Sequence, residues 1–311
     1  MPTDSRTKTR EQSLTRPALY IPLAVLCCLL WSSAFPLIKL GYRYFAIEAA
    51  DVPAQILFAG CRFALAGVLT ILAASLLSKK PLLPRSRQTW AHIGILALVQ
   101  TVLQYSLFYM ALAHIEGSSG SILNAAGSFF CVLLAAAVFR SDRLGAKKLI
   151  GCALGLLGIV LLNLKTLQVS FRFGGEGLML LSALCYALSS VLIKRFAQSD
   201  SPALLSGWQF LCGGVVMVAG ALACGGRFAQ VSTAGILSVL YLAFVSAAAY
   251  TLWGILLKYN PVSKIAVFGF VIPLGGVLLS ALLLGEQVDV PLSAACLGLV
   301  SAGIVLVNWQ R

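Results

Sequence analysis

The chain has 311 residues, 59% of them hydrophobic and only 11% charged, with a mean hydropathy of +0.93, whereas a soluble protein of this length carries about 25% charged residues. The net charge of +13 invites a nucleic-acid reading. The placement of the charges argues against it, because they cluster in short segments between apolar runs of about 20 residues, the length of helix that crosses about 30 Å of hydrocarbon.

Ten such runs follow one another, near 19–39, 54–78, 90–112, 117–139, 146–164, 176–196, 203–224, 235–257, 261–284 and 291–309. The expected architecture is an all-α polytopic membrane protein with ten transmembrane helices. Basic loops stay on the cytoplasmic side. With the tail 1–18 inside, only Lys39, Arg43, Lys165, Arg172 and Arg227 fall in outer segments and Arg62 inside a run, leaving the other 17 of the 23 Lys and Arg cytoplasmic. Both termini are therefore placed inside. The first run imitates a secretion signal, but a cleaved signal has an apolar core of about 7–15 residues, so the span is expected to be retained.

Along the chain, polar and aromatic residues recur on helix faces at the spacing a cavity needs. Run one supplies Trp31 and Ser32. Run three supplies Gln100 and Gln104, with Thr101 and Tyr105 on the neighbouring stripe. Run four has Ser121, Asn124 and Ser128, run six has Ser182, Tyr186 and Ser189, and run eight has Ser246, Tyr250 and Trp253. Amides and hydroxyls suit a substrate's carboxylate and ammonium, and aromatics give an apolar wall. The candidate substrate-binding residues are thus Trp31, Ser32, Gln100, Gln104, Tyr105, Asn124, Ser128, Tyr186, Ser189, Tyr250 and Trp253. The plainer alternative is that each serine bonds its own helix backbone and each aromatic fills the core.

Charges near membrane depth are candidate gates: Lys39, Arg62, Lys194 and Glu286. Arg62, near the outer end of run two, is either a gate or a snorkelling anchor. Lys39 and Lys194 end equivalent helices, where a cation also suits the helix dipole, and Glu286 is the candidate partner for Arg62 or Lys39. No acidic residue lies mid-span, which disfavours a carrier of cationic drugs. Nine Cys without a Cys-x-x-Cys pair read as packing, and Ser201-Pro202, Asn260-Pro261 and Asp289 before Pro291 read as capped helix starts. Gly151 and Gly155, and Ala294, Gly298 and Ala302, read as close-packing ridges within one chain rather than dimer contacts, so a monomer suffices. Neither a metal nor a cofactor is called for.

The chain is also written twice. Trp31-Ser-Ser-Ala-Phe-Pro-Leu-Ile-Lys39 has a counterpart in Tyr186-Ala-Leu-Ser-Ser-Val-Leu-Ile-Lys194, and Gly158-Ile-Val-Leu-Leu-Asn163 in Gly303-Ile-Val-Leu-Val-Asn308. Arg62-Phe63 lies opposite Gln209-Phe210, Tyr105 opposite Tyr250, and Ser118 opposite Ser263. Five spans per copy force the second to insert upside down, giving two inverted five-helix repeats, 19–164 and 176–309, joined by a periplasmic linker 165–175. Inverted repeats flank a midplane site in alternating-access carriers.

These residues resemble the drug/metabolite transporter superfamily, specifically its EamA-type ten-helix members. The stretch Asn260 to Gln287, with Phe270-Val-Ile-Pro273 and Leu282-Leu-Leu-Gly-Glu286, is similar to that family's ninth helix, and Trp31-Ser-Ser and Arg62-Phe63 also fit. The first half departs where Ser128 stands opposite Pro273 and Ser141, beside Asp142, opposite Glu286. The resemblance implies export of amino acids and other small metabolites, a cavity built from helices 1, 3, 4, 6, 8 and 9, and a bacterial inner membrane. A nucleotide-sugar or sugar-phosphate carrier is the second reading, but it calls for several basic cavity residues. A membrane enzyme on lipid-linked substrates needs a catalytic cluster, and only His92 and His114, both at span boundaries, are at hand.

Overall fold

The computed structural model describes residues 14–139, 145–162, 172–285 and 290–308. Among these residues every regular element is helical. Among the described residues, seven helices are long and apolar enough to cross a membrane. In chain order the helices are α1 (Pro17–Tyr44), α2 (Val52–Ser78), α3 (Arg87–His114), α4a (Gly117–Asn124), α4b (Ala126–Val138) and α5 (Ala146–Leu162). They continue as α6 (Phe173–Phe196), α7 (Pro202–Ala223), α8 (Thr233–Tyr259), α9 (Val262–Leu284) and α10 (Val290–Asn308). The expected apolar runs fall on these helices, with the run 117–139 divided between α4a and α4b.

The distribution of polarity is inverted relative to a water-soluble bundle. Large apolar side chains face outward, Leu76 and Leu77 among the most exposed, while Gln55, Arg62, Gln100, Gln104 and Gln209 are buried. Such an apolar exterior is a liability in water and the natural boundary in hydrocarbon. The chain is a multi-pass membrane protein.

Local chemistry sets the helix ends. The Asp51 carboxylate accepts from the Ala54 N–H at 3.0 Å, and the Ser86 and Ser232 hydroxyls accept from Thr89 and Gly235 at 2.9 and 3.1 Å, satisfying donors that a helix start leaves free. Two expected caps differ. Ser201 precedes Pro202 but makes no side-chain cap bond, because the proline at the first helical position has already removed one donor. Asn260 closes the preceding helix instead of opening the next, its amide donating to Leu256 O at 3.0 Å and Leu14 O at 3.2 Å. Asp289 lies outside the described residues, as do Ser141, Asp142, residues 1–13 of the basic tail and 165–171 of the linker.

Helices approach one another most closely along two glycine seams. On α2 and α7, Gly60 and Gly67 face Gly207 and Gly214. A Cβ on Gly60 would stand 2.8 Å from the Val218 backbone nitrogen, and one on Gly214 would collide with the Ala64 backbone. On α5 and α10, Gly151 meets Gly303, where a Cβ would lie 2.7 Å from the opposite carbonyl. Lipid offers no hydrophobic drive between helices, so association rests on such contact. The expected ridge of Ala294, Gly298 and Ala302 is exposed instead, because the seam of α10 runs through Gly303. Cys224 is likewise exposed rather than packed.

The helices α4 and α9 are both irregular at mid-depth. α4 breaks at Ala125, between Asn124 and Ala126. In α9, Pro273 cannot donate a hydrogen bond, and the preceding turn, Val267–Phe270, tightens to a 3-10 helix. Irregular backbone at membrane depth is tolerated where protein buries it or a cavity receives it. α1 packs against α8 and α9, and α6 against α3 and α4. The Cys28 thiol donates to Phe268 O at 3.2 Å and the Ser32 hydroxyl to Ile272 O at 3.0 Å, tying α1 to the irregular turn.

Candidate functional site

A small chamber of about 40 Å³ lies where α1, α2, α3, α4a, α6, α8 and α9 converge. Trp31 forms its hub, with ring centroids 4.9 Å from Tyr250 and 6.3 Å from Tyr186. Both contacts are tilted or edge-on, the favoured arrangements for aromatic pairs. Behind this wall Trp253 meets Trp31 edge-on, with ring centroids 4.9 Å apart. The Tyr105 and Tyr250 hydroxyls are hydrogen-bonded to each other across the chamber.

The backbone of α3 decides which of its polar residues reach this space. Ala97–Gln104 forms a π-helical stretch, whose wider i→i+5 turn rotates residues off the 3.6-residue stripe. Gln104 and Tyr105 line the chamber. Gln100 turns toward α6 and α7: it donates to the Ser189 hydroxyl at 3.0 Å and accepts from the Gln209 amide at 2.6 Å.

Of the residues singled out in the sequence, Trp31, Gln104, Tyr105, Asn124, Tyr186 and Tyr250 line the chamber. Ser32, Gln100, Ser128, Ser189 and Trp253 stand outside its lining. Ser32 and Ser189 are engaged with backbone carbonyls, Cys28 O at 2.7 Å and Tyr186 O at 2.8 Å. Ser128 packs against Gly269, where no Cβ would fit, and Trp253 fills space behind Trp31. Ala34, Phe35, Phe108 and Ile272 also line the chamber. Sequence reasoning passed over them because apolar residues in an apolar span carry no contrast.

Of the two readings of Arg62, gate or snorkelling anchor, the anchor is removed: the side chain is 1% exposed and turned inward. Its Nε donates to Leu242 O at 3.2 Å and the Ser246 hydroxyl at 3.0 Å, and its Nη1 to the Tyr109 hydroxyl at 2.8 Å. Val52 lies about 15 Å away along α2, too far for the guanidinium to reach the interface. Lys194 caps a neighbouring helix, its ammonium donating to Leu257 O at 3.0 Å and Asn260 O at 2.7 Å at the end of α8. Lys39 is half-buried near the end of α1, and Glu286 lies outside the described residues.

At the opposite end of the fold, Asp200 joins α3 to the turn before α7. It pairs with His92 Nδ1 at 2.7 Å and accepts from the Thr89 hydroxyl at 2.8 Å, while the His92 ring stacks on Phe196 at 4.0 Å. Among the described residues no group of three metal-ligating side chains comes together.

Several buried polar atoms around the chamber lack a hydrogen-bond partner: Trp31 Nε1, Gln104 Oε1 and Tyr186 OH. Buried polar groups are seldom left unpaired, and in a chamber they are what an incoming molecule would satisfy. The chamber is far below the roughly 300–1,000 Å³ of a typical small-molecule site, so admitting a metabolite requires the helices to part.

Comparison with known proteins places this geometry in context. The model of the EamA-like transporter family matches the chain twice, over residues 18–164 and 173–309. The chain is 27% identical over 297 residues to a "Probable amino-acid metabolite efflux pump" of Salmonella typhimurium, covering 92% of this chain and 91% of that one. It is 28% identical over 274 residues to an "Uncharacterized transporter" of Archaeoglobus fulgidus, covering 86% and 90%. A solved crystal structure at 20% identity superposes with a TM-score of 0.73 over 92% of this chain and 96% of that chain, which shows a shared fold.

Proposed function

The chain belongs to the EamA-like transporter family and is a transporter rather than an enzyme, and from that premise we propose that it exports small neutral or zwitterionic metabolites such as amino acids. The mechanism is alternating access between two inverted five-helix repeats, 19–164 and 176–309, with ten transmembrane helices and both termini cytoplasmic in a bacterial inner membrane. The observation that carries this reading is the aromatic chamber itself: it joins elements of both halves and presents unpaired donors and acceptors to its contents.

The packing supports the repeat. α2 lies on α7 and α5 on α10, each on its own counterpart, and the partners of α1, α8 and α9, correspond to those of α6, α3 and α4. The irregular sites of α4 and α9, at Ala125 and at Val267–Phe270, also correspond, as expected for the flexing elements of two matched halves. A sugar-phosphate cargo is disfavoured by charge, because among the described residues Arg62 is the sole cation in the chamber lining.

The test is a metabolite profile of medium from cells expressing the chain, beside a Trp31→Ala, Tyr250→Ala variant at matched membrane abundance. Selective accumulation of one metabolite, lost in the variant, is the expected result. An unchanged medium with the intact chain would refute export.

A further inference from the structure

Resting on the export reading above, we infer that Arg62 is the receptor for a carboxylate on the cargo. The evidence begins with an unbalanced charge. Arg62 sits on α2 about 15 Å from Val52 and about 24 Å from Ser78, at 1.5 Å per residue, and is 1% exposed. A cation at that depth is costly and is retained when something pairs with it. Its recorded partners are all neutral: a carbonyl, two hydroxyls, and the faces of Phe63 and Tyr105 at 4.9 and 5.8 Å. Among the described residues the only acid–base pair within 4.0 Å is His92–Asp200, at the far end of the fold.

The guanidinium has an unused edge. Of its five N–H donors, bonds are formed at Nε and Nη1, while Nη2 finds no acceptor among the described residues. Arg62 lines the chamber, so an anion there would meet a rigid donor fork held by Leu242 and Ser246 behind and Tyr109 beside it. Planar guanidinium groups suit carboxylates in both shape and charge.

The rest of the lining supplies the complement. Gln104 Oε1 and Tyr186 OH are buried without partners and can accept from an ammonium, and the faces of Trp31 and Tyr250 attract a cation. An α-amino carboxylate satisfies both sides at once. An organic cation lacking a carboxylate leaves Arg62 unpaired and is repelled, and a phosphate dianion finds one cation where it needs more. The helix set implied by family resemblance leaves out the second helix. Arg62 brings α2 into the site.

The test uses purified full-length protein in detergent, with thermal melting and titration calorimetry. The probes are the proteinogenic amino acids, each beside its carboxamide, together with 3-phenylpropionate and inorganic phosphate. The expected binders carry a carboxylate, and exchanging it for a carboxamide weakens binding about 10–100-fold. Arg62→Lys should keep part of this discrimination and Arg62→Gln should lose it. Equal binding of an acid and its amide overturns the assignment on the native protein alone, whether or not a variant folds. So does the failure of every carboxylate tested, or an Arg62→Gln variant that still discriminates. The two readings fail separately: an exported metabolite without a carboxylate leaves export standing and removes the role of Arg62, whereas acid-selective binding without export removes only the direction of transport.

Discussion

The α2–α7 seam sets a quantitative test of what holds the two halves together. Replacing Gly by Ala inside a helix is by itself stabilising by about 0.5–1 kcal/mol. At Gly220, on the same helix α7, a Cβ would meet nothing within 4 Å, so Gly220→Ala should show that gain or no change. At Gly214 the Cβ would strike the Ala64 backbone, with the Gly60 carbonyl oxygen 2.9 Å away. Backbone cannot rotate aside as a side chain does, so the helices must separate. Overpacking of this kind costs about 1–3 kcal/mol, and the rigid obstacle argues for the upper half of that range. The propensity gain is common to both variants and cancels between them. Gly214→Ala should therefore be about 2–3 kcal/mol less stable than Gly220→Ala, read from denaturant midpoints of the purified protein at matched slope. Two variants within about 0.5 kcal/mol of each other would refute close α2–α7 contact as the source of stability.

Two further outcomes follow from the same contacts. Gln100→Leu strands the Gln209 amide and should cost about 1–3 kcal/mol. The double variant Gln100→Leu, Gln209→Leu leaves no stranded donor and should cost well under the sum of the singles, a coupling that a double-mutant cycle measures; additive costs would sink the proposed amide link. Cys224 is exposed at the end of α7 while Cys27, Cys28, Cys131 and Cys152 are buried. A membrane-impermeant maleimide should thus label intact cells at Cys224 and lose that signal in Cys224→Ser; labelling only in inverted vesicles would reverse the orientation proposed for the chain.

Much of the site was legible before the fold was known. Aromatic and amide residues at helical spacing, such as Trp31, Gln104 and Tyr250, contrast with the apolar spans around them, and that contrast marked them as inward-facing. The pattern failed where geometry departs from a regular helix. The π-helical stretch in α3 separates Gln100 from Gln104 although a 3.6-residue stripe puts them together. Serines gave the weakest signal, because Ser32 and Ser189 satisfy themselves on nearby carbonyls and need no cargo.

By itself, the sequence determined the membrane class, the helices and the doubling of the chain, because hydropathy and repeated segments are local properties that survive any arrangement of the helices. Only the tertiary structure decided the environment of Arg62. A cation ten residues into a span reads equally as an anchor or a gate until its neighbours are known. Two of those neighbours come from the other half of the chain, Leu242 and Ser246 on α8 lying 180 and 184 residues away in sequence, and no local pattern encodes that they are neutral. Burial without a countercharge is a property of the packed interior, and it is the packed interior that turns one arginine into a place for a carboxylate.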